Sequence, residues 1–599
     1  MTLLSTRSLW SQALAGGHAE FIALPGERVE YLDLQQAIKR WLAWFDAVGL
    51  TEGDRVLIRT KDDFVAVTGF IGAMLDGVVP VLMAGDTPDL RALAAADFVE
   101  AKGFAAEHGT IPAKLELAVA RIELGHLHKP KQKGWFSNTP TRDRLAGLPE
   151  PASREPRQPE DPAGLAYILF TSGTTASPNG VQITRGNLFA NLATLSRLFG
   201  YGSDSRIFND MVLAHADGMI QGPVIALANR CAVIRSAGFS LAGLEPWLER
   251  VRQQRASHVI TVPTIWAMID AYAMHDDYFD APECSALLSV AAKLPIELWD
   301  RLEKRFARPV FNQYGLTETV ASALYAGPHA EMGAKGTVGL PVDCEARIDP
   351  AANGPEGELE LRGANMFPGY WRDSERSAAV ITSDGWLRSG DLARRGPDGS
   401  YEVLARIKAV IMMGGFLIRP DEIDEAMLRH PQVLESVTIG IKDALFDEIP
   451  VTAVTCQGEM SEAELTAHAR QHLEGQKVPK RIVTVDAIPR GDSGKPRLAM
   501  LQDILLAATG LKPIPSAELA GDEDLEAAVI TLAAEVFRVE RGMIGPQSRA
   551  GSVPGWDSFS QLNCLMAAED RFGVTIPASL VAQIISVADL VKAIRQLQR

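Results

Sequence analysis

Apolar and polar positions along this chain fall into two rhythms, one of about 3.6 residues and one of 2. Between 19 and 50, strand-like pieces (FIAL, RVEYL) precede a helical pattern with Leu34, Ile38, Leu42 and Phe45 on one face. Gly53-Asp54 turns the chain into an apolar strand over 55–58; a helix over 64–75 follows, Gly77 stops it, and 78–83 reads as another strand. This is the βαβ grammar of a mixed or parallel sheet with helices on its faces. Alternation continues to about residue 407, with a helix over 188–198, a strand at 231–234, a helix over 244–253 and a strand at 258–262.

Residues 408–505 form a smaller α/β pattern, with a helix over 421–429 and strands near 436–441 and 451–456. A break with two prolines spans 512–520, and beyond it the pattern is helical. Leu525, Val529, Leu532 and Val536 share one face, as do Phe559, Leu562 and Met566, and then Val587, Leu590, Val591 and Ile594. A small helical bundle is expected there. The expected division is 1–407 as a large α/β domain, 408–508 as a small one, 509–520 as linker and 521–599 as the bundle.

At 599 residues the chain exceeds what one hydrophobic core supports. A net charge of −16 argues against nonspecific nucleic-acid binding and against docking on anionic membranes. Five scattered cysteines without a CxxC pair suggest neither a zinc site nor a disulfide framework. No stretch approaches the ~18 apolar residues of a membrane span, and the N-terminus lacks a signal-peptide pattern, so a soluble cytoplasmic protein is the default expectation. Residues 128–164, rich in Pro, Lys, Arg and Gly, read as an exposed connection.

Candidate chemistry concentrates in YILFTSGTTASPNGV, residues 167–181. An apolar run of strand length leads into Thr171, Ser172, Gly173, Thr174 and Thr175, and Gly180 closes the loop. Glycine admits close backbone approach, while hydroxyls and successive main-chain N–H groups donate to phosphate oxygens. No Gly-Lys-Ser/Thr ends the loop and a β-like stretch follows, so it is not a Walker loop. Taken alone, such a cluster reads as a polar turn. Taken alone, FNQYGLTET (311–319) is likewise a turn into a helix, SGD in GWLRSGDL (385–392) a plain turn, Lys495 in PRGDSGK a solvated lysine, and GWDSFS (555–560) an N-capped helix start.

Together and in this order, these segments resemble the adenylate-forming superfamily of acyl-CoA synthetases, peptide-synthetase adenylation domains and luciferases, followed by an acyl or peptidyl carrier domain. The resemblance implies an α/β fold: a large multi-sheet domain, a small mobile α+β domain and an all-α carrier bundle. It implies that Thr171, Ser172, Gly173, Thr174 and Thr175 contact ATP phosphates, with Asn312 among the AMP-binding residues. Tyr314 would stack on adenine, Thr317 would meet the α-phosphate and Glu318 would hold Mg²⁺, a hard cation suited to a carboxylate. Asp391 would accept both ribose hydroxyls, Arg406 would contact ribose or phosphate, and Lys408 would be a hinge. Gly414 and Gly415 would let a pantetheine arm pass. Lys495 would stabilise the charge developing at the α-phosphorus. Ser558 would carry 4′-phosphopantetheine, installed by a phosphopantetheinyl transferase.

Where subgroups of the family differ, LAHADGMIQG (213–222), GLTET and GGFLIRPDEI resemble acyl- or aryl-CoA synthetases more than amino-acid-activating domains. His215 would sit at the mouth of the acyl pocket; a core histidine is the other reading, and Asp217 reads as a turn residue. The implied reaction activates a small carboxylic acid without an α-amino group and loads it on the chain's own carrier, for a downstream acyltransferase, condensation or ketosynthase partner in secondary-metabolite, polyketide or peptide biosynthesis. An amino-acid-activating didomain and a non-catalytic carrier scaffold are the alternatives. Departures from the family pattern are Asn179, where a lysine is usual, and Ala405 and Ala409, where glycine and aspartate are frequent; Lys293 is a candidate replacement for the lost cation.

Overall fold

Several helices of the chain begin at residues whose side chains satisfy open backbone amides. In the helix Asp63–Asp76, Asp62 caps the start by accepting from the Phe64 and Val65 amides, and Gly77 ends it in the left-handed region at φ 79°. The computed structural model describes residues 4–110, 119–125, 143–171, 179–239, 243–352, 354–407, 410–413, 416–443, 447–458, 460–473, 477–490, 496–511 and 525–537, and then 539, 541–549, 553, 564–565, 568, 571–572, 574, 576, 584 and 586–597. It divides into two units, Met1–Leu404 and Ala405–Arg599.

Among the described residues, the first unit carries three sheets. One has the strand order Leu340–Pro341, Leu324–Ala326, Val310–Tyr314, Ala286–Ser289, His258–Thr261, Arg206–Asn209, Ala232–Ile234, Glu20–Leu24 and Glu27–Glu30. From Val310–Tyr314 to Glu20–Leu24 every pairing is parallel, and antiparallel strands close both edges. The second orders Ala120–Leu124, Gly103–Glu107, Arg55–Thr60, Val79–Ala84, Leu165–Thr171 and Asn179–Thr184, its last pair being an antiparallel hairpin. The third is antiparallel in its resolved pairings and runs Cys344–Ile348, Glu356–Gly363, Leu387–Arg395, Tyr401–Arg406. Helices cover the parallel strands: Tyr31–Ala47 buries Leu34, Ile38, Leu42 and Phe45, the face that the sequence marks, together with Trp41, against the predominantly apolar helix Asp63–Asp76.

In the second unit, Ile411–Met413, Phe416–Ile418, Val433–Asp443, Asp447–Cys456 and Arg481–Thr484 make a sheet on which Pro420–Leu428 and Glu462–His472 pack. The helices Leu525–Phe537 and Val587–Leu597 enclose a separate cluster that includes Val529, Leu532, Leu590, Val591 and Ile594. The fold class expected from sequence, a large multi-sheet α/β domain followed by a smaller one and by C-terminal helices, is thus the one observed. The apolar face of Phe559, Leu562 and Met566 lies outside the described residues.

Two local differences have physical reasons. The segment 143–164 is not a free connection, because Arg154 and Arg157 fasten it to the first unit. Asp76 is fully buried at the end of its helix, and Arg154 donates to both of its carboxylate oxygens at 2.6 and 2.9 Å while also forking onto Asp46. The 311–319 segment does not open a helix. It runs as the strand Val310–Tyr314 into a single turn, Thr317–Thr319, because Gly315 lies so close to the returning backbone that a Cβ there would stand 2.0 Å from the Ala321 carbonyl.

Arg154→Ala leaves Asp76 buried with only Arg157 to pair it, which should lower stability by about 1.5–3 kcal/mol, read as a lower urea midpoint at unchanged slope. His258, at the start of a central strand, is held neutral: its Nε2 donates to the Phe199 carbonyl, Ser257 Oγ donates to its Nδ1, and burial lowers its pKa from 6.5 to about 4. The unfolded chain takes up a proton in that window and the folded chain does not. This contribution is therefore complete above pH 6.5 and lost as pH falls toward 4. Urea titrations across that range should show the loss in the wild type and a flatter profile in His258→Asn.

Candidate functional site

Parallel strands end together, and the loops beyond their carboxyl ends face the same edge of the sheet. In the first sheet Asn209, Thr261, Ser289 and Asn312 are at or near these ends, with Ile260 paired to Asn209, Thr261 to Ser289 and Ser289 to Asn312. His215, Lys293, Thr317 and Glu318 all lie on the loops that follow. Asn312 is buried; its Nδ2 donates to the Thr337 carbonyl at 3.2 Å, and its Oδ1 has no partner among the described residues. Beyond it, Tyr314 through Glu318 are half-exposed between fully buried neighbours on both sides.

Three other segments converge on this loop. The hairpin Leu165–Thr171/Asn179–Thr184 pairs Phe170 with Gly180 and Thr171 with Asn179, the residues that flank the hydroxyl-rich segment in sequence. Ser172, Gly173, Thr174 and Thr175, and the side chains of Thr171 and Asn179, lie outside the described residues. Gly180 favours a close approach: its carbonyl accepts from the Trp371 amide at 2.7 Å, and a Cβ on it would crowd the Trp371 side chain at 3.1 Å. That contact lays the turn before Trp371 along the hairpin. Tyr370 then donates its hydroxyl to Glu318 Oε1 at 2.8 Å, and the Phe367 amide donates to the Glu318 carbonyl at 2.8 Å. Burial, reinforced by the adjoining Glu318 carboxylate, pushes the Tyr370 phenol well above its ordinary pKa, so it remains a donor.

Asp391 arrives by a different device. Between Glu358 and Glu360 the pairing with Leu387–Arg395 shifts, because Leu392 and Arg388 sit four residues apart opposite partners only two apart. The bulge occupies Ser389 to Asp391, with Gly390 at φ 73° and its amide donating to Glu358 Oε1. SGD is therefore a bulge within a strand and not a plain turn. The Asp391 residue is 2% exposed, and Tyr314 donates its hydroxyl to Asp391 Oδ2 at 2.5 Å. Tyr314, Glu318, Tyr370 and Asp391 thus form one hydrogen-bonded neighbourhood with the hairpin stem.

The donor set suits a nucleotide with a divalent cation: Glu318 offers a hard carboxylate oxygen, Tyr314 an aromatic face, Asn312 a buried amide acceptor, and Asp391 a carboxylate that can accept several donors at once. Sequence reasoning did not single out Tyr370; its signal was an aromatic just ahead of Trp371 beside a glycine in FPGYW. His215 precedes the short helix Ala216–Met219 without capping it through its side chain, and is half-buried. Asp217 does more than turn the backbone, since it accepts from Gln221 Nε2 at 2.9 Å, one turn on, where the helix widens into the π-turn Ile220–Val224. Lys293 is exposed.

In the second unit Arg406 is the exposed last residue of its strand. Lys408, Gly414, Gly415 and Lys495 lie outside the described residues. Residues on either side of the Lys495 loop are joined, Arg490 bridging to Pro496 and the Arg497 amide donating to the Pro489 carbonyl at 2.7 Å. Asp424 is half-buried against Val433–Asp443, accepting from Ser436 and Thr438; desolvation raises its pKa to about 6 against those hydrogen bonds. Ser558 also lies outside the described residues.

Comparison with known proteins agrees with this arrangement. Residues 10–371 match the AMP-binding enzyme family and residues 422–495 match the AMP-binding enzyme C-terminal domain. The sulfoacetate–CoA ligase of Cupriavidus necator is 33% identical over 59% of this chain and 70% of its own length. CymA of Salinispora arenicola, a probable nonribosomal peptide synthetase, is 30% identical over 59% of this chain and 4% of its own length. Among solved structures, the O-succinylbenzoate coenzyme A synthetase of Bacillus subtilis, in complex with ATP and magnesium, superposes with a TM-score of 0.70 at 23% identity, over 83% of this chain and 99% of that one. No helix among the described residues is long and apolar enough to cross a membrane. The chain belongs to the AMP-binding enzymes of the adenylate-forming superfamily.

Proposed function

We propose that this protein is an ATP-dependent, AMP-forming ligase that activates a small carboxylic acid lacking an α-amino group and loads it on the phosphopantetheine arm of its own C-terminal bundle. The observation that carries the first step is the convergence of Glu318 and Asp391 on one loop edge, each accepting from a tyrosine hydroxyl, beside the hairpin whose tip is the hydroxyl-rich loop. In that step a carboxylate oxygen of the acid bonds to the α-phosphorus, the α–β phosphoanhydride bond breaks, and pyrophosphate leaves. Magnesium, when bound, neutralises phosphate charge. Glu318 holds it, Tyr314 and Asn312 orient the base, Asp391 and Arg406 take the ribose, and Thr171 to Thr175 with Thr317 take the phosphates. Lys495 stabilises the charge that builds at the reacting oxygens. Lys408 serves as the hinge that removes Lys495 before the second step.

In the second step a thiol sulfur bonds to the acyl carbon and AMP departs. The acceptor is the pantetheine thiol on Ser558, for which the support is the C-terminal helical cluster and the GWDSFS segment in the stretch that precedes its last helix. His215 lines the mouth of the acyl pocket. A phosphopantetheinyl transferase and a downstream acyltransferase, condensation or ketosynthase partner would complete the route. A second reading, free coenzyme A as acceptor, is favoured by the similarity to coenzyme A ligases.

Acid-dependent exchange of labelled pyrophosphate into ATP should fall by roughly 10²-fold or more in Lys495→Ala and stay at the wild-type rate in Ser558→Ala, since only the first step is read. A screen across fatty, aryl, hydroxy and amino acids names the substrate class, and a preference for amino acids would overturn the assignment. After phosphopantetheinylation, ATP and the acid should add one acyl mass to the intact wild-type chain and none to Ser558→Ala. An acyl-CoA product without acylated protein would establish the second reading instead.

A further inference from the structure

Directly after Glu318 the backbone takes a conformation that its residue type disfavours. Val320 lies at φ 71° and ψ −71°, and the Ala321 amide donates to the Thr319 carbonyl at 3.0 Å. That is a γ-turn of positive φ, a rare geometry, here centred on a fully buried β-branched residue. Such a conformation persists only when its surroundings over-determine it, and these cluster at functional sites.

The surroundings here come from two other parts of the site. The Ser322 carbonyl, two residues past Val320, accepts from Asn191 Nδ2 at 2.7 Å and from Asn365 Nδ2 at 3.2 Å. Asn365 Nδ2 also lies 3.5 Å from the Thr319 carbonyl, the acceptor within the γ-turn itself. Both amide side chains are almost wholly buried. Asn191 belongs to the helix Arg185–Phe199, which starts where the hydroxyl-loop hairpin ends, at its cap Thr184. Asn365 precedes the turn that delivers Tyr370, and Asn187 of the same helix donates to the Ala364 and Met366 carbonyls of that turn. The clamp therefore joins the hairpin, the Tyr370 turn and the Glu318 loop.

We infer that Asn365 and Asn191 are positioning residues for the magnesium-binding carboxylate: by holding the strained turn at Val320 they aim Glu318. This rests on the assignment of Glu318 as the magnesium ligand. The amides act through backbone carbonyls and touch neither substrate nor metal, so their loss should move the magnesium dependence more than the fold.

The test is equilibrium binding of a fluorescent ATP analogue to the full-length protein while Mg²⁺ is titrated, with melting temperature recorded in parallel. Asn365→Leu, close in size but without the amide, should raise the half-saturating Mg²⁺ concentration by about tenfold, the scale on which small misplacements of a functional group act. Val320→Gly in the Asn365→Leu background should recover most of that loss, because glycine adopts positive φ without a clamp. Should Asn365→Leu fail to fold, Asn191→Leu carries the same expectation. The inference is overturned if the clamp variants stay within twofold of wild type while Glu318→Gln raises the Mg²⁺ requirement, or if Val320→Gly restores nothing. If Glu318→Gln itself leaves the Mg²⁺ requirement unchanged, the assignment of Glu318 fails and the inference with it.

Discussion

Carboxylates set at the margin of an apolar core need donors, and in this protein tyrosine hydroxyls supply them. Tyr370 donates to Glu318 and Tyr314 to Asp391, so residues from three separate stretches of chain are tied at one sheet edge. Everything upstream of those two bonds serves to deliver the partners. Parallel strands bring Asn312 and its loop to the carboxyl edge, a bulged strand carries the buried Asp391, and a glycine lets Trp371 lie against the hairpin. A defect in any one delivery would leave a buried polar group without its mate, which is more costly than the gain from making the bond.

Much of this was legible in the residues themselves. The helix face of Leu34, Ile38, Leu42 and Phe45 and the stop at Gly77 follow from period and punctuation, because burial and the left-handed C-terminus act locally. The order of the motifs was legible too, and the family assignment follows it. What was not legible depends on contacts between distant segments. Nothing near Arg154 announces that Asp76 lies buried beneath it, and nothing near Tyr370 announces Glu318, since those partners are 78 and 52 residues away. The FNQYGLTET stretch has good helix-starting residues, yet Gly315 and the returning Ala321 backbone leave room for one turn only. Local propensity lost there to tertiary crowding.

The two kinds of polar burial in the chain are distinct. His258 and Asp424 are each satisfied by their own hydrogen bonds, and burial moves the pKa of each toward its uncharged form. In the group around Glu318, by contrast, Tyr314, Glu318 and Tyr370 are partly open to solvent, while Asp391 is buried beneath Tyr314.

The bulge before Asp391 has a consequence for how this chain can vary. It adds two residues to one strand relative to its partner, an even number, so side chains on both sides of it keep their inward and outward sense: Leu387, Ser389, Asp391 and Ala393 all alternate with more exposed neighbours. Loss or gain of a single residue there would invert every later side chain of the strand, turning Ala393 outward and Arg394 into the core. A two-residue insertion or deletion in this stretch therefore preserves the alternation that a one-residue change would break.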